Sequence, residues 1–489
     1  MAEFRIPQKQ NLVRVDEVTW EIPTTFWAKM RVPARLYATE RILEQILEDK
    51  SLAQLVNMTT LPGVLRHAIA MPDVHQGYGF PVGGVLATDV SEGVVSPGGV
   101  GYDINCGVRL LLSDIPRQHV DEARLTRLVE RLMRTIPVGT GEGSPITLSK
   151  KELDRVALEG AHWAVRQGYG LPEDLERIED GGRMEGADPE AVSERARERG
   201  YVQLGSLGSG NHFLEIQYVA EIFDEAAAQA FGLHRDQMVV LIHCGSRGYG
   251  HQICSDYVKT ALHAASSKYK IQLVDPELAC VPFQSPEGQA YHRAMRCAMN
   301  FAWANREVIT HFTRQVWREL FGNAAQLRLL YDVVHNTAKI ETFELDGRRH
   351  RAVVHRKGAT RALGPGHPLT PAVYAEVGQP VIIPGSMGTS SWVLVGQQRD
   401  DTNFFNSTCH GAGRQLSRHQ AKKRVFGSNL DLVAVLAQQG IVARSQSRAG
   451  LAEEAPFAYK DVDEVVRVVE QAGMARRVAR LRPLGVIKG

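Results

Sequence analysis

The chain has 489 residues, of which 44% are hydrophobic and 23% charged. This composition is typical of a soluble globular protein and excludes a disordered or fibrous one. The formal net charge of +2 excludes a uniformly basic surface, so any nucleic-acid contact must come from a local patch.

Regular apolar spacing in the N-terminal part predicts a helix over about residues 36–55. Residues 70–84 are rich in glycine and proline and carry Asp73 and His75, so they predict a long functional loop. Residues 117–200 are expected to be mainly helical, with a charged, solvated helical excursion over about 171–200. A further long helical segment is expected over about 287–320.

The six cysteines form no C-x-x-C pair, which excludes a zinc ribbon and a thioredoxin-type motif. Six cysteines are too few for a disulfide framework in a chain of this length, so they favour a reducing compartment. The chain begins without the hydrophobic core of a secretion signal, and no apolar run reaches the length of a membrane span. We therefore expect a cytoplasmic protein with no membrane partner.

The most informative stretch runs from Gly99 to Gly107 and contains Asp103 and Cys106, three residues apart. This spacing is about one turn of tight backbone, so both side chains can point at one spot. A strand-like run, Val108 to Leu112, follows directly. The pair is either half of a metal site or a turn with a buried thiol.

Three histidines lie at predicted strand boundaries beside glycine, asparagine or cysteine: His212, His243 and His335. One such histidine is more often structural than a ligand. Three in one pattern, together with Asp103 and Cys106, favour a metal centre with several ligands. Thiolate and imidazole alone suggest zinc, whereas the carboxylate leaves manganese open.

The C-terminal third adds three basic or glycine-rich motifs. Residues 355–361 suit either a phosphate-handling loop or a solvated one. His410 is flanked by small residues, and a helix is expected to begin just after it. Arg414, Arg418 and Lys422 would form one basic stripe on that helix, which favours a polyanion over a merely solvated face.

Six motifs, in order, resemble the RtcB family of RNA-splicing ligases: residues 103–107, 208–215, 245–248, 335–336, 384–388 and 409–414. The resemblance extends to Lys488 and Gly489 at the C-terminus. Tyr102 stands where the family commonly has phenylalanine, and Cys244 where it commonly has serine or threonine. Neither departure removes a functional group.

The resemblance implies an α+β fold: one catalytic domain over residues 1–489, with mixed sheets around a central dinuclear metal cleft. It implies a ligase that uses GTP and two Mn²⁺ to join RNA 3′-phosphate or 2′,3′-cyclic phosphate ends to 5′-hydroxyl ends. The reaction would pass through GMP-histidine and an RNA-3′-pp-G end, in tRNA splicing or RNA repair. The ligand types also allow zinc or cobalt. A monomer and an archease-type activating protein are further expectations.

The resemblance also implies roles for individual residues. The metal ligands would be Asp103, Cys106, His212, His243 and His335, with Cys106 bridging two ions. His410 would be the nucleophile that takes GMP, and Asp73 would aid proton transfer. The nucleotide would be held by Asn211, Glu215, Asn336, Pro384, Gly385, Ser386, Met387, Ser391, His410, Gly411, Ala412, Gly413, Tyr459 and Lys488. RNA would be bound by Arg199, Arg247, Arg414 and Arg418.

Two alternatives remain open at this point. A metal-dependent phosphoesterase acting on cyclic phosphates would need the metal ligands but neither His410 nor Lys488. A non-catalytic RNA-binding protein would need only the basic residues between Arg414 and Arg424. The absence of a K-x-D-G lysine motif and of a G-x-x-x-x-G-K-[ST] phosphate loop agrees with a histidine nucleophile.

Overall fold

A computed structural model describes residues 5–139, 143–397 and 402–489. Within these ranges the chain forms nineteen strands and fourteen α-helices, which confirms the mixed α and β class. The expectation about a secretion signal concerned residues 1–4 in part, and these lie outside the described residues. Within the described ranges, every helix lacks either the length or the apolar character needed to cross a bilayer.

The strands are, in chain order, β1 (Val13–Arg14), β2 (Thr19–Ile22), β3 (Ala34–Tyr37), β4 (Ala68–His75), β5 (Val82–Asp89), β6 (Val94–Val95), β7 (Gly107–Pro116), β8 (Phe213–Ile222), β9 (Gln237–Cys244), β10 (Val281–Pro282), β11 (Leu327–Val334), β12 (Asn336–Leu345), β13 (Arg348–Lys357), β14 (Ala359–Arg361), β15 (Pro380–Ile383), β16 (Ser391–Gly396), β17 (Ser407–Cys409), β18 (Val442–Ser445) and β19 (Ala475–Lys488).

The α-helices are α1 (Glu40–Leu47), α2 (Ser51–Met58), α3 (Pro97–Val100), α4 (Glu122–Thr135), α5 (Lys150–Glu159), α6 (Ala161–Arg166), α7 (Glu194–Gly200), α8 (Glu225–Phe231), α9 (Arg247–Ser267), α10 (Pro286–Phe321), α11 (Arg418–Gly427), α12 (Leu432–Gln438), α13 (Arg448–Glu453) and α14 (Val462–Gln471).

Two large sheets organise the molecule. One has the strand order β1-β2-β3-β4-β5-β13-β12, and the other has the order β11-β7-β9-β8-β19-β16-β15, with β18 paired to β19. Both are mixed, because β3 pairs with β4 and β18 with β19 in parallel while the other neighbours run antiparallel. Only His335 separates β11 from β12, so the chain passes from one sheet to the other at this histidine.

The long helix α10 confirms the expected helical segment at 287–320. Its N-terminus is capped by the Ser285 hydroxyl, which accepts a hydrogen bond from the Gly288 N–H at 3.1 Å. The helix contributes many buried side chains, among them Trp303, Arg306 and Trp317. It is therefore a central element of the core rather than a surface helix.

The prediction for residues 171–200 was wrong in part. The segment contains three short 3₁₀ turns (Pro172–Arg177, Glu179–Gly182 and Pro189–Ala191), and only Glu194–Gly200 is α-helical. Asp174 and Glu179 are buried rather than solvated. Each carboxylate is paired with a cation on a distant element, and such partners cannot be identified from local charge density.

Two further local predictions, both in the N-terminal part, were wrong in part. Residues 36–55 form the end of β3 and the separate helices α1 and α2, because Thr39 and Asp49 each bind backbone N–H groups of a new helix start. Residues 70–84 lie largely in β4 and β5 instead of one loop. Pro72 is accommodated in β4 where the pairing with β5 shifts between Ala70 and His75.

The basic motifs of the C-terminal third also fold differently from expectation. Residues 355–361 belong to β13 and β14, and the buried Arg356 is paired with Glu341 rather than available to a phosphate. The helix expected directly after His410 begins only at Arg418, where the Ser417 hydroxyl accepts from the Gln420 N–H. Arg414 therefore precedes the helix and shares no helical face with Arg418.

Candidate metal centre and nucleotide cleft

Most of the predicted ligands lie at one edge of the second large sheet. Gly107 at the start of β7 pairs with Val334 at the end of β11 and with Cys244 at the end of β9. Phe213 at the start of β8 pairs with His243 on β9. Because these neighbours are antiparallel, the starts of β7 and β8 and the ends of β9 and β11 meet at one edge. Cys106, His212, His243 and His335 are brought together there.

The five side chains form two groups that share one sulfur atom. Cys106, His243 and His335 make one group, and Asp103, Cys106 and His212 make the other. The Cys106 Sγ lies 3.2 Å from His243 Nε2 and 3.4 Å from His212 Nε2. His243 Nε2 is 3.3 Å from His335 Nε2, and His212 Nε2 is 2.7 Å from Asp103 Oδ2.

These separations and donor types fit two metal ions. Ligand atoms at about 2.0–2.3 Å from a tetrahedral ion are about 3.3–3.8 Å apart, and three of the four distances lie close to that range. The fourth, 2.7 Å between His212 and Asp103, is that of an ion pair, which a bound cation would separate. The donors are one carboxylate oxygen, one sulfur and three imidazole nitrogens, which suit zinc, cobalt or manganese. A cluster of this kind can therefore hold a metal, and its donor set does not select one of the three.

Neighbouring groups orient two of the candidate ligands. His212 Nδ1 is 3.0 Å from the Leu207 carbonyl, which directs Nε2 toward the cluster. Asp103 Oδ1 accepts hydrogen bonds from the Ser246 N–H at 3.0 Å and from its hydroxyl at 3.3 Å. A Cβ at Gly245 would lie 2.3 Å from both Asp103 oxygens, so only glycine fits beside this carboxylate.

Burial dominates the protonation states of Cys106, His243 and His335, whereas neighbouring groups outweigh burial and raise the pKa of His212 well above its ordinary value. Burial, reinforced by Asp103, raises the pKa of the Cys106 thiol to about 12. Burial and the neighbouring imidazoles lower the pKa values of His243 and His335 well below the ordinary value. The two imidazoles are therefore neutral with lone pairs available, whereas a bound cation must displace the thiol proton.

His410 directly follows β17, which pairs with β14 in a small two-stranded sheet, and its ring faces the cluster. Its ring centroid is 4.8 Å from that of His335, and its Nδ1 is 2.6 Å from Asp73 Oδ2. The same Asp73 oxygen accepts the backbone N–H groups of His410 and Gly411. A Cβ at Gly413 would lie 2.0 Å from the Asp73 carbonyl, so glycine is required at this turn. Asp73 thus anchors both the ring and the backbone of His410.

The cluster and His410 open into a cleft of about 1040 Å³. The predicted residues that line it are Asp103, Cys106, Asn211, Glu215, His243, His335, Asn336, Pro384, Gly385, Ser386, Met387, His410, Gly411, Ala412, Gly413, Arg414, Arg418, Tyr459 and Lys488. Those that lie behind or outside its wall are Asp73, Arg199, His212, Arg247 and Ser391.

One wall of the cleft contains a buried carboxylate with several polar and cationic neighbours. Glu454 accepts a hydrogen bond from the Tyr459 hydroxyl, and it lies 3.2 Å from Arg414 Nη1 and 3.5 Å from Lys488 Nζ. Burial alone would raise the pKa of Glu454, but Lys488 and Arg414 lower it to about 2. Lys488, next to the C-terminus, is buried because β19 pairs it with Phe213.

Glu215 is a buried carboxylate, and among the described residues no guanidinium or ammonium lies in hydrogen-bond contact with it. It accepts a hydrogen bond from the Gln217 amide, which also donates to the Ser391 hydroxyl at 2.9 Å. Burial raises the pKa of Glu215 to about 8. Ser391 therefore orients Gln217 and Glu215 from behind the cleft wall.

The four predicted RNA-binding arginines differ in their surroundings. Arg247 is buried and donates to the Gly139 carbonyl at 2.8 Å, and Arg199 lies 3.5 Å from His251 and from Gln252. Arg418 is half exposed and lies 3.5 Å from Glu454, while Arg414 also stacks over Tyr459. Only Arg414 and Arg418 line the cleft, so the geometry separates them from the other two.

The sequence did not indicate Glu454 and Lys460 as parts of the cleft wall, whereas Lys357 belongs to the basic segment 355–361 that was considered for phosphate handling. Lys357 donates to the Tyr78 and Gly98 carbonyls, and Lys460 donates to the Val74 carbonyl beside Asp73. Burial lowers the pKa of each lysine to about 8. The partners of both lysines are backbone atoms far away in sequence, so only the fold shows that these side chains line the cleft.

Comparison with known proteins agrees with this arrangement. Residues 54–489 match the family model described as "tRNA-splicing ligase RtcB". The chain is 52% identical over 481 residues to the "tRNA-splicing ligase RtcB" of Thermococcus kodakarensis, covering 98% of this chain and 99% of the relative. It is 49% identical over 481 residues to that of Archaeoglobus fulgidus, with the same coverage. It is 53% identical over 438 residues to the "RNA-splicing ligase RtcB" of Mycobacterium tuberculosis, covering 89% of this chain and all of the relative. The chain belongs to the RtcB family.

Proposed function

We propose that this protein is an RNA ligase that joins RNA 3′-phosphate or 2′,3′-cyclic phosphate ends to 5′-hydroxyl ends. GTP is the co-substrate. The cofactors are two divalent ions, which the family resemblance suggests are Mn²⁺. The ligase acts in tRNA splicing or RNA repair. The observation that carries the proposal is the meeting of two three-residue ligand groups, joined at Cys106, with His410 in one cleft. The names of the relatives point to the same activity.

The metal ions would be held by Asp103, Cys106 and His212 on one side and by Cys106, His243 and His335 on the other. When bound, they supply positive charge that neutralises developing negative charge on phosphate oxygens. The remaining chemistry is performed by the protein's own side chains.

His410 is suited to act as the nucleophile. Asp73 engages its Nδ1 and so favours the tautomer whose Nε2 is free to react. Nε2 attacks the α-phosphorus of GTP, a P–N bond forms, and the P–O bond to pyrophosphate breaks. The GMP then passes from His410 to the RNA 3′-phosphate, which gives RNA-3′-pp-G. Attack by the 5′-hydroxyl releases GMP and leaves a phosphodiester.

The cleft wall on the other side suits a guanine nucleotide. Glu215 offers a carboxylate, and the region around Tyr459 and Lys488 offers an aromatic face and a cation. Asn211, Asn336 and the segment from Pro384 to Met387 would contact the remainder of the nucleotide. Arg414 and Arg418 would bind the RNA end, with Arg199 and Arg247 as more distant contacts.

The proposed activating partner is an archease-type protein. The enzyme is proposed to be a monomer in the cytoplasm.

Incubation with Mn²⁺ and GTP labelled at the α-phosphate tests the proposal. We expect label on the protein, stable in alkali and lost in acid as for a P–N bond. Its transfer to RNA with a 3′-phosphate, and joining to a 5′-hydroxyl strand, should follow. His410→Ala should abolish labelling and ligation. The exposed His419→Ala provides a matched control that should label normally.

Two results would replace the ligase with another function. Hydrolysis of cyclic phosphate ends without any protein labelling would indicate a phosphoesterase. RNA binding without labelling or hydrolysis, independent of metal and unchanged in Cys106→Ala, would indicate a non-catalytic RNA-binding protein. Repeating the labelling with Zn²⁺ and Co²⁺ separately would identify the metal that supports the reaction.

A further inference from the structure

Two adjacent residues in the middle of α10, Asn305 and Arg306, contact the backbone of the segments that carry the candidate metal ligands. Both side chains are fully buried. Neither residue lines the cleft or belongs to the ligand groups. Their contacts are therefore with the protein alone.

Arg306 joins three of these segments. Its Nη1 donates to the Asn105 and Cys244 carbonyls, each at 2.9 Å, and these residues are next in sequence to Cys106 and His243. Its Nε and Nη2 donate to Asp332, which lies three residues before His335. A single guanidinium thus ties together the backbone beside two ligands and the strand that ends at the third.

Asn305 extends the same connection to the fourth segment. Its amide nitrogen donates to the Ser206 and Gly245 carbonyls, each at 3.2 Å, and lies 3.1 Å from Cys244 Sγ. Its oxygen accepts the Gly205 N–H at 2.7 Å. The loop at 205–207 ends at the Leu207 carbonyl that orients the His212 ring.

The local sequence leaves room for this arrangement. A Cβ at Gly107 would lie 3.1 Å from both Cζ and Nη2 of Arg306, and 2.6 Å from the Val333 carbonyl. The glycine after Cys106 therefore admits the guanidinium between β7 and β11. The asparagine before Cys106 also donates to the Met299 carbonyl of α10 at 2.9 Å, a further link to the same helix.

We propose that Asn305 and Arg306 are positioning residues that hold the candidate metal ligands at metal-binding separations. This inference rests on the metal centre of the proposed function. Fixing four loops to one rigid helix keeps the imidazole and thiol groups at their close separations without a cation, because the helix cannot follow the movement of any single loop. Removal of such supporting contacts typically weakens metal affinity by about 10–100-fold.

The test is a Co²⁺ titration of the full chain, followed by the visible absorption of the metal and by the near-ultraviolet thiolate band. The variants are Arg306→Met and Asn305→Ala, with Arg314→Met as the matched control. Arg314 is also a buried arginine on α10, but it binds Asp174 and the Leu327 carbonyl away from the ligand segments. Circular dichroism would establish that each variant is folded.

We expect Arg306→Met and Asn305→Ala to bind Co²⁺ at least about tenfold more weakly, with altered absorption bands. Arg314→Met should lose thermal stability but keep the wild-type affinity and spectrum, and Arg306→Lys should recover part of the affinity. Should Arg306→Met fail to fold, Asn305→Ala decides in its place, because it removes no ion pair. Folded variants with unchanged affinity and spectrum would overturn the inference, as would an equal loss in Arg314→Met. A wild-type chain that takes up no Co²⁺ would instead contradict the metal centre itself.

Discussion

Two clusters of buried polar side chains lie three residues apart along the same strands, and they differ in how their charges are compensated. Cys106 immediately precedes β7 and Arg109 lies within it, while Asp332 lies within β11 and His335 immediately follows it. In the Arg109 cluster each carboxylate has a guanidinium partner, as in the pairs with Glu307 and Asp332. In the Cys106 cluster the neutral donor atoms of Cys106, His243 and His335 face one another at 3.2–3.3 Å, beside the ion pair of Asp103 and His212.

The contrast distinguishes structural from functional burial of polar groups. Buried charges that are paired and hydrogen-bonded satisfy one another and leave nothing for a ligand. The neutral thiol and imidazole groups of Cys106, His243 and His335 keep their lone pairs available to a cation. Both clusters are largely buried, so residue type and the pairing of charges, rather than burial, decide which one can be a site.

The largest expected effect is the loss of metal uptake in Cys106→Ala, because this side chain belongs to both ligand groups. We expect the affinity for both ions to fall more than about 100-fold, since the loss of supporting contacts alone costs about 10–100-fold. Metal content after dialysis measures the change. The buried Cys280→Ala is the control, with unchanged metal content. Retention of two ions by Cys106→Ala would contradict the assignment of Cys106 as a ligand shared by both groups.

The opposite behaviour is expected of Asp174→Ala in the Arg109 cluster, to which Asp174 belongs through its hydrogen bond with Glu307. This change leaves Arg314 buried without its carboxylate, which should lower the free energy of unfolding by about 3–5 kcal/mol. Urea denaturation measures the loss. Metal affinity should stay at the wild-type value, and a parallel loss of metal would show that the two clusters are not independent.

A smaller effect is the pH dependence of metal binding. The Cys106 thiol, with its pKa raised to about 12, is protonated at neutral pH and must release its proton to the solvent when a cation binds. Higher pH favours this release, so affinity should rise by about tenfold per pH unit for this proton between pH 6 and 8. His243 and His335, whose pKa values are lowered, are already neutral and add nothing to the slope. The pKa of His212 is raised well above its ordinary value, because Cys244, Cys106 and Asp103 outweigh burial, so the ion on that side displaces a second proton. Titration calorimetry in buffers of different ionisation enthalpy counts the protons, and a pH-independent affinity would contradict the assignment.

The smallest effect concerns Glu215, whose pKa is raised from 4.5 to about 8 by burial. The folded state favours the neutral acid, so its contribution to stability is complete below pH 4.5 and is lost as the pH rises toward 8. Glu215→Gln cannot ionise, and its Tm should exceed that of the wild type increasingly between pH 5 and 8. Thermal scans across this range measure the difference. The same variant should label less with GTP, and a Tm difference that does not change with pH would exclude a buried ionising group here.

Much of the site could be predicted from residue types at strand boundaries. His243 ends a continuous apolar run, and His212 and His335 stand where such runs begin or end, so their convergence follows from strand pairing. The odd spacing of His212 and Glu215 would place them on opposite faces of a regular strand. The structure resolves this, because His212 precedes β8 and only Glu215 lies within it.

The sequence alone determined the family, the long helix α10, the strands that carry the ligands and the identities of the candidate ligands, because these depend on short-range patterns of residue type. Only the tertiary structure decided which charged residues are paired. Glu179 with Lys339, Arg356 with Glu341 and Lys488 with Glu454 join segments that are distant in the chain or on neighbouring strands. Such pairs form because burial makes an uncompensated charge unfavourable, and burial depends on how the sheets and α10 pack together.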